Sequence, residues 1–224
     1  MDLEFLSSVN IFAGLTDDEL SNIANICVPR KYPKNSMIIL EEEFGDVVFI
    51  VDKGTVKITR VNDEGKEVIL AMLGSGEVFG EMAILDGEFR SANALAQEDC
   101  EFLAINREEF LNLLKNHKIA LNMMTELATR LRKSDQQIEA LSLDDAEHRI
   151  GVSILNLAEE MGLIRNGAVT VENLPYQQDI ANMAGTSRET VSRVMKMFEE
   201  RGLITKEGHK MTIPDYGFFK RIFG

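Results

Sequence analysis

Apolar positions change their period twice along the chain. Thr16, followed three residues later by Glu19, has the form of a capping box, and Leu20, Ile23, Ala24 and Ile26 then repeat at helical spacing, which predicts a short helix. From about Pro29 to Ile105 the texture becomes short β-rich runs, VVFIV at 47–51, TVKITRV at 55–61 and EVILAML at 67–73. Glycines at 45, 54, 65, 76 and 87 punctuate them as turns between short strands would, so this stretch predicts an all-β unit. After Arg107 the helical period returns, and Met124, Leu127, Leu131, Ser134, Ile138 and Leu141 fall at alternating spacings of three and four. Such a seam is the stripe of a coiled coil and predicts a homodimer through residues 118–141. Ser134 is its polar member, placed either to fix register or to face something polar. A further helix is expected over Glu147–Met161 beyond an acidic break at Ser142–Asp145. The resulting division is 1–115, 116–144 and 145–224.

The segment QQDIANMAGTSRETVSRVMK, residues 177–196, places small or apolar residues where two tightly crossed helices meet: Ile180, Ala184, Val191 and Val194, with Ala181 small enough for close approach. Gly185 supplies the turn, and Thr186 or Ser187 can cap the second helix. That helix presents Arg188, Glu189 and Arg193, side chains that pair with base edges in a major groove. The alternative is an ordinary helical hairpin with solvated arginines. GLIT, KEGHK and MTI at 202–213 follow as a β-hairpin wing, which puts Lys206, His209 and Lys210 within reach of phosphates.

Composition at first opposes a nucleic-acid partner, because the net charge is −13. Its distribution removes the objection. Residues 145–224 hold ten basic and eleven acidic side chains, whereas residues 1–144 carry a net −12. Residues 186–210 are locally positive, with Arg188, Arg193, Lys196, Arg201, Lys206 and Lys210 against four acids. Two distant cysteines, Cys27 and Cys100, suggest neither a disulfide nor a metal site, which fits a reducing cytoplasm. The start MDLEFLSSVNIF lacks the form of a secretory signal, and no apolar run is long enough for a membrane span. His117, His148 and His209 stand far apart without a nucleophile motif, so no catalytic residue, metal ligand or enzymatic activity is expected.

FGEMAILDGEFRSA at 79–92 resembles the phosphate cassette of the cyclic-AMP receptor and FNR family of bacterial regulators, and SRETVSRVMKMFEERGLI resembles that family's recognition helix. The resemblance spans essentially the whole chain. It implies an α+β protein: an N-terminal β-roll of the cyclic-nucleotide-binding jelly-roll type, a long dimerisation helix and a C-terminal winged helix-turn-helix. It also implies a non-enzymatic DNA-binding transcription regulator whose effector is cyclic AMP or a related cyclic nucleotide. Inverted-repeat duplex DNA with half-sites like TGTGA and RNA polymerase would be its partners. Arg90, Ser91 and the Ala92 amide are assigned to the phosphate, Glu81 to the ribose hydroxyl, and Gly80 and Met82 to backbone contacts. Arg130 aligns with an arginine that supports the glutamate; Ser134 and Asp135 align with the pair facing the purine, where Asp135 departs from the family's small hydroxyl residue. Ser187, Arg188, Glu189, Arg193, Lys196, Lys206, His209 and Lys210 form the expected DNA-binding set, and Phe89 is read as packing. A Glu81–Arg90 ion pair closing an empty roll, a haem-binding relative, and a nucleotide module without DNA binding are the alternatives.

Overall fold

The computed structural model describes residues 3–143 and 145–224. Met1, Asp2 and Asp144, the last within the predicted break, lie outside them. The chain divides into two compact units, one of residues 1–60 and 73–132, the other of residues 61–72 and 133–224.

The chain opens with α1 (Leu3–Ser8), a 3-10 turn and α2 (Asp17–Ile26), followed by strands β1 (Val28–Tyr32), β2 (Met37–Ile39), β3 (Val47–Lys53), β4 (Val56–Val61), β5 (Glu67–Leu73) and β6 (Val78–Phe79). Helix α3 (Met82–Leu85), strands β7 (Asn93–Ala96) and β8 (Cys100–Asn106), α4 (Arg107–Leu113) and the long α5 (His117–Leu143) come next. Thr16 caps α2 as its sequence predicts: Glu19 N–H donates to the Thr16 hydroxyl while the Glu19 carboxylate accepts from Thr16 N–H. In the first unit one antiparallel sheet orders β1–β8–β3–β6, and β4 pairs with β7, which pairs with β2. Val48 to Val51 are all buried, so β3 is apolar on both faces and reads as an unbroken run instead of an alternating one. Phe49 stacks on Phe79 at 5.2 Å, and Phe102 meets both edge-on. Each such buried ring contributes roughly 1.5–3 kcal/mol of transfer free energy. Leu6, Phe12, Leu20 and Ile23 join Val48, Ile50, Ile105, Phe110, Ile119 and Met123 in one core, so the first helices and the start of α5 pack on the roll.

Helix α5 has 27 residues and is about 40 Å long. Met124, Leu131, Ile138 and Leu141 of the expected seam are exposed, at 58%, 63%, 62% and 48%. Leu127 is different: it is half-buried against its own roll.

The second unit contains α6 (Ala146–Met161), β9 (Leu163–Arg165), β10 (Ala168–Val171), α7 (Gln177–Met183), α8 (Arg188–Glu200), β11 (Thr205–Glu207), β12 (Lys210–Ile213) and α9 (Tyr216–Phe223). Its sheet orders β11–β12–β10–β9, so the predicted wing hairpin is one half of a four-stranded sheet. Phe198, Phe219 and Phe223 pack ring on ring in the core. Gly151 of α6 makes this possible, because a Cβ there would stand 2.2 Å from the Phe223 ring. Ile69 and Met72 of β5 belong to this same core, and Asn182 donates to the Glu67 carboxylate.

Candidate functional site

Two polar constellations stand out, one in each unit. In the roll, Glu81 and Arg90 are both buried, at 3% and 7% exposure. Such charges need partners. Those of Glu81 come from α5: Arg130 Nη1 donates to Glu81 Oε1 at 3.1 Å, its Nη2 to the Val78 carbonyl at 2.7 Å and its Nε to Glu126 at 3.0 Å. One guanidinium therefore ties the cassette to the long helix. Burial pushes the Glu81 carboxyl above its ordinary pKa, with Arg130 opposing.

Arg90 is not the partner of Glu81, which corrects the ion pair considered from sequence. Its guanidinium donates instead to the carbonyls of Gly80 at 2.6 Å and Val47 at 2.8 Å. Gly80, at φ +80°, allows this, since a Cβ there would lie 2.7 Å from Arg90 Nη1. Ser91 and Met82 are exposed at the cassette surface, with the Ser91 hydroxyl 3.7 Å from Met82 Sδ, and Ala92 is half-buried beside them. Phe89 is no core residue: it is half-exposed and rests on Phe44. Two of the five guanidinium N–H groups of Arg90 are engaged by carbonyls, and the remainder suit one anionic phosphodiester; the Glu81 carboxylate suits a sugar hydroxyl. Ser134 and Asp135 are exposed on α5, and their side chains make no hydrogen bond among the described residues.

In the second unit α7 and α8 cross through a turn at Gly185, which has φ +58°, and Thr186 N–H donates to the Ala181 carbonyl. Of the two candidate caps the structure uses Ser187, whose hydroxyl accepts from Thr190 N–H at 3.2 Å. Ile180, Ala181, Ala184, Val191 and Val194 are buried as predicted. Arg188, Glu189, Arg193 and Lys196 are exposed along α8. Glu189 is held below the usual carboxylate range by its own backbone N–H and the Ser187 hydroxyl. Arg188, Lys206 and His209 converge on a cavity of about 390 Å³, together with Tyr176, Gln177 and Gln178. The Tyr176 ring meets His209 edge-on at 5.5 Å. Lys210 lies outside this group, paired with Glu172 at 2.9 Å. Sequence reasoning missed Tyr176, Gln177 and Gln178, because polar residues at a helix start carry no signal beyond their turn propensity.

Among the described residues no cluster of His, Cys, Asp and Glu could hold a metal ion, and no helix is long and apolar enough to cross a membrane. A model of the cyclic nucleotide-binding domain matches residues 29–117, and one of the Crp-like helix-turn-helix domain matches residues 148–222. The chain is 36% identical over 195 residues to the cyclic AMP receptor protein of Thermus thermophilus, covering 87% of each. It is 35% identical over 216 residues to the cAMP-activated global transcriptional regulator CRP of Haemophilus influenzae, covering 96% of this chain and 95% of that one. Its fold is similar to that of FixK2 from Bradyrhizobium japonicum, with a TM-score of 0.77 at 21% identity over 89% of this chain and 98% of the other. The chain thus belongs to the CRP/FNR family, DNA-binding transcription regulators that join a cyclic nucleotide-binding domain to a Crp-like helix-turn-helix.

Proposed function

We propose that this chain is a cytoplasmic homodimer that binds an inverted-repeat operator under the control of cyclic AMP or a closely related cyclic nucleotide. The observation that carries the reading is the buried pair of opposite charges in the roll, Glu81 held by Arg130 and Arg90 held by the Gly80 and Val47 carbonyls. A protein interior retains two separated charges at a cost, and a cyclic phosphodiester joined to a ribose answers both. Arg90, Ser91 and the Ala92 amide take the phosphate, Glu81 takes the ribose hydroxyl, and Gly80 and Met82 contribute backbone. Arg130 positions Glu81. Ser134 and Asp135 are assigned to the purine by their alignment with the family's pair. Names of relatives, the cyclic AMP receptor of Thermus and the cAMP-activated regulator of Haemophilus, support the same ligand.

On DNA, Arg188, Glu189 and Arg193 read base edges, while Ser187, Lys196, Lys206, His209 and Lys210 meet the backbone. Exposed Met124, Leu131, Ile138 and Leu141 are covered by a second copy, since an apolar stripe of this extent is otherwise left in water. RNA polymerase is the protein partner at the promoter.

Calorimetric titration with cyclic AMP and cyclic GMP, paired with operator shifts with and without ligand, tests the whole reading. Wild type should bind cyclic AMP and gain operator affinity; Arg90→Leu should lose at least tenfold in ligand affinity, since a charge-assisted hydrogen bond contributes about 1.5–3 kcal/mol. Operator binding that is equally tight without nucleotide, joined to no calorimetric signal at millimolar ligand, rejects nucleotide control and leaves the DNA-binding half.

A further inference from the structure

Asp135 carries a carboxylate that no hydrogen bond or ion pair engages among the described residues. Of the two cations just before it, Lys133 is committed to Glu160 at 3.2 Å, and Arg132 makes no ion pair with it. Its neighbours one turn away on the surface of α5 are Leu131 and Ile138, exposed at 63% and 62%. Both belong to the apolar stripe that a second copy is proposed to cover. Covering the stripe strips water from the carboxylate between them, and a charge so desolvated requires donors for both of its oxygens. On the same helix Arg130 is the residue that holds Glu81, and Ser134 and Asp135 follow it by four and five positions. This acceptor-only side chain thus stands about one turn beyond the arginine of the nucleotide site, in the position assigned above to the purine.

The two purines present different edges to a carboxylate. Adenine sets its N6 amino donor beside the N1 lone pair, so one carboxylate oxygen gains a hydrogen bond while the other meets a second acceptor. Guanine sets N1–H beside the 2-amino group, two parallel donors that match the two oxygens in a bidentate, charge-assisted pair. Ser134 does not discriminate, because a hydroxyl can donate to guanine O6 or accept from adenine N6. A carboxylate left half-paired by the wrong base is what makes a site reject that base. We propose that Asp135 makes the site prefer guanine over adenine, so that cyclic GMP is the tighter ligand; this rests on the cyclic-nucleotide reading above. Phosphate and ribose contacts are common to both nucleotides, so cyclic AMP still binds, with lower affinity.

The test titrates the full-length protein calorimetrically with cyclic GMP, cyclic AMP and cyclic IMP, whose base keeps N1–H and lacks the 2-amino group. Wild type should bind cyclic GMP roughly tenfold or more tighter than cyclic AMP, with cyclic IMP between them. Asp135→Asn is isosteric but turns one acceptor into a donor, which matches the adenine edge, so the ratio should fall to one or reverse. Asp135→Ser, with no carboxylate at all, should also lose the preference and serves if the amide variant fails to fold in a thermal melt. Equal or tighter binding of cyclic AMP by wild type overturns the proposal while leaving nucleotide control of the operator standing. A cyclic GMP preference that survives in the variants overturns the role given to Asp135. Silence with all three nucleotides at millimolar concentration strikes the proposed function itself, and this inference with it.

Discussion

Glu81 sits almost without water in the roll, and Arg130 is the group that allows it to remain there. Because burial raises its pKa, the folded protein holds this proton more readily than the unfolded chain does. Its stabilising contribution is complete below the ordinary glutamate pKa, about 4.3, and is lost as pH rises through the elevated value. Thermal melts of Glu81→Gln and wild type across pH 4 to 8 should therefore diverge, with the variant gaining on wild type as pH rises; parallel curves would show that the group titrates normally. Another residue-scale consequence concerns space. Gly151→Ala forces a methyl group into the Phe223 ring, so it should cost roughly 1–3 kcal/mol, read by denaturant unfolding. Legibility at this scale followed sequence separation. The Thr16–Glu19 box and the Ser187 cap are local and could be read directly. No sequence rule links Glu81 to Arg130 across 49 positions; only resemblance to the family supplied that pair.

Among the elements, α8 and α5 carry the strongest expectations. Arg193→Ala should cost about 1–3 kcal/mol on the operator and relax preference at one base pair, whereas Lys206→Ala should weaken all sequences alike and lower the salt dependence. Competition shifts with operator and random duplex separate the two outcomes; equal losses for Arg193→Ala on both would remove it from base readout. On α5, Leu131→Glu puts a charge into the exposed stripe and should convert the dimer to monomer at micromolar concentration in sedimentation. The strands VVFIV, TVKITRV and EVILAML emerge where the apolar runs place them, as β3, β4 and β5. Leu127, half-buried against its own roll, is the least exposed position of the expected seam, because a 3.5-residue period marks a face and not which neighbours share it. Strand β9 escaped notice for another reason: its three residues are all exposed, so they show no alternation to detect.

For the whole molecule, the proposed nucleotide control requires that ligand and operator prefer the same arrangement of the proposed dimer. If cyclic AMP raises operator affinity by some factor, operator must raise cyclic AMP affinity by the same factor. Calorimetric titration of cyclic AMP into the free protein and into its operator complex measures this coupling, and a factor of one would mean that nucleotide and operator bind independently. The grouping of residues 61–72 with the DNA-binding unit has a consequence for heredity and engineering. Ile69 and Met72, at 0% and 1% exposure, complete the core of a unit whose other residues begin some sixty positions later in the chain. A sensor transplanted from a relative by a single crossover near residue 133 would bring foreign side chains into that core. Recombination between such genes should therefore succeed most often when the 61–72 hairpin is inherited with the DNA-binding half, so that exchange follows two breakpoints more than one.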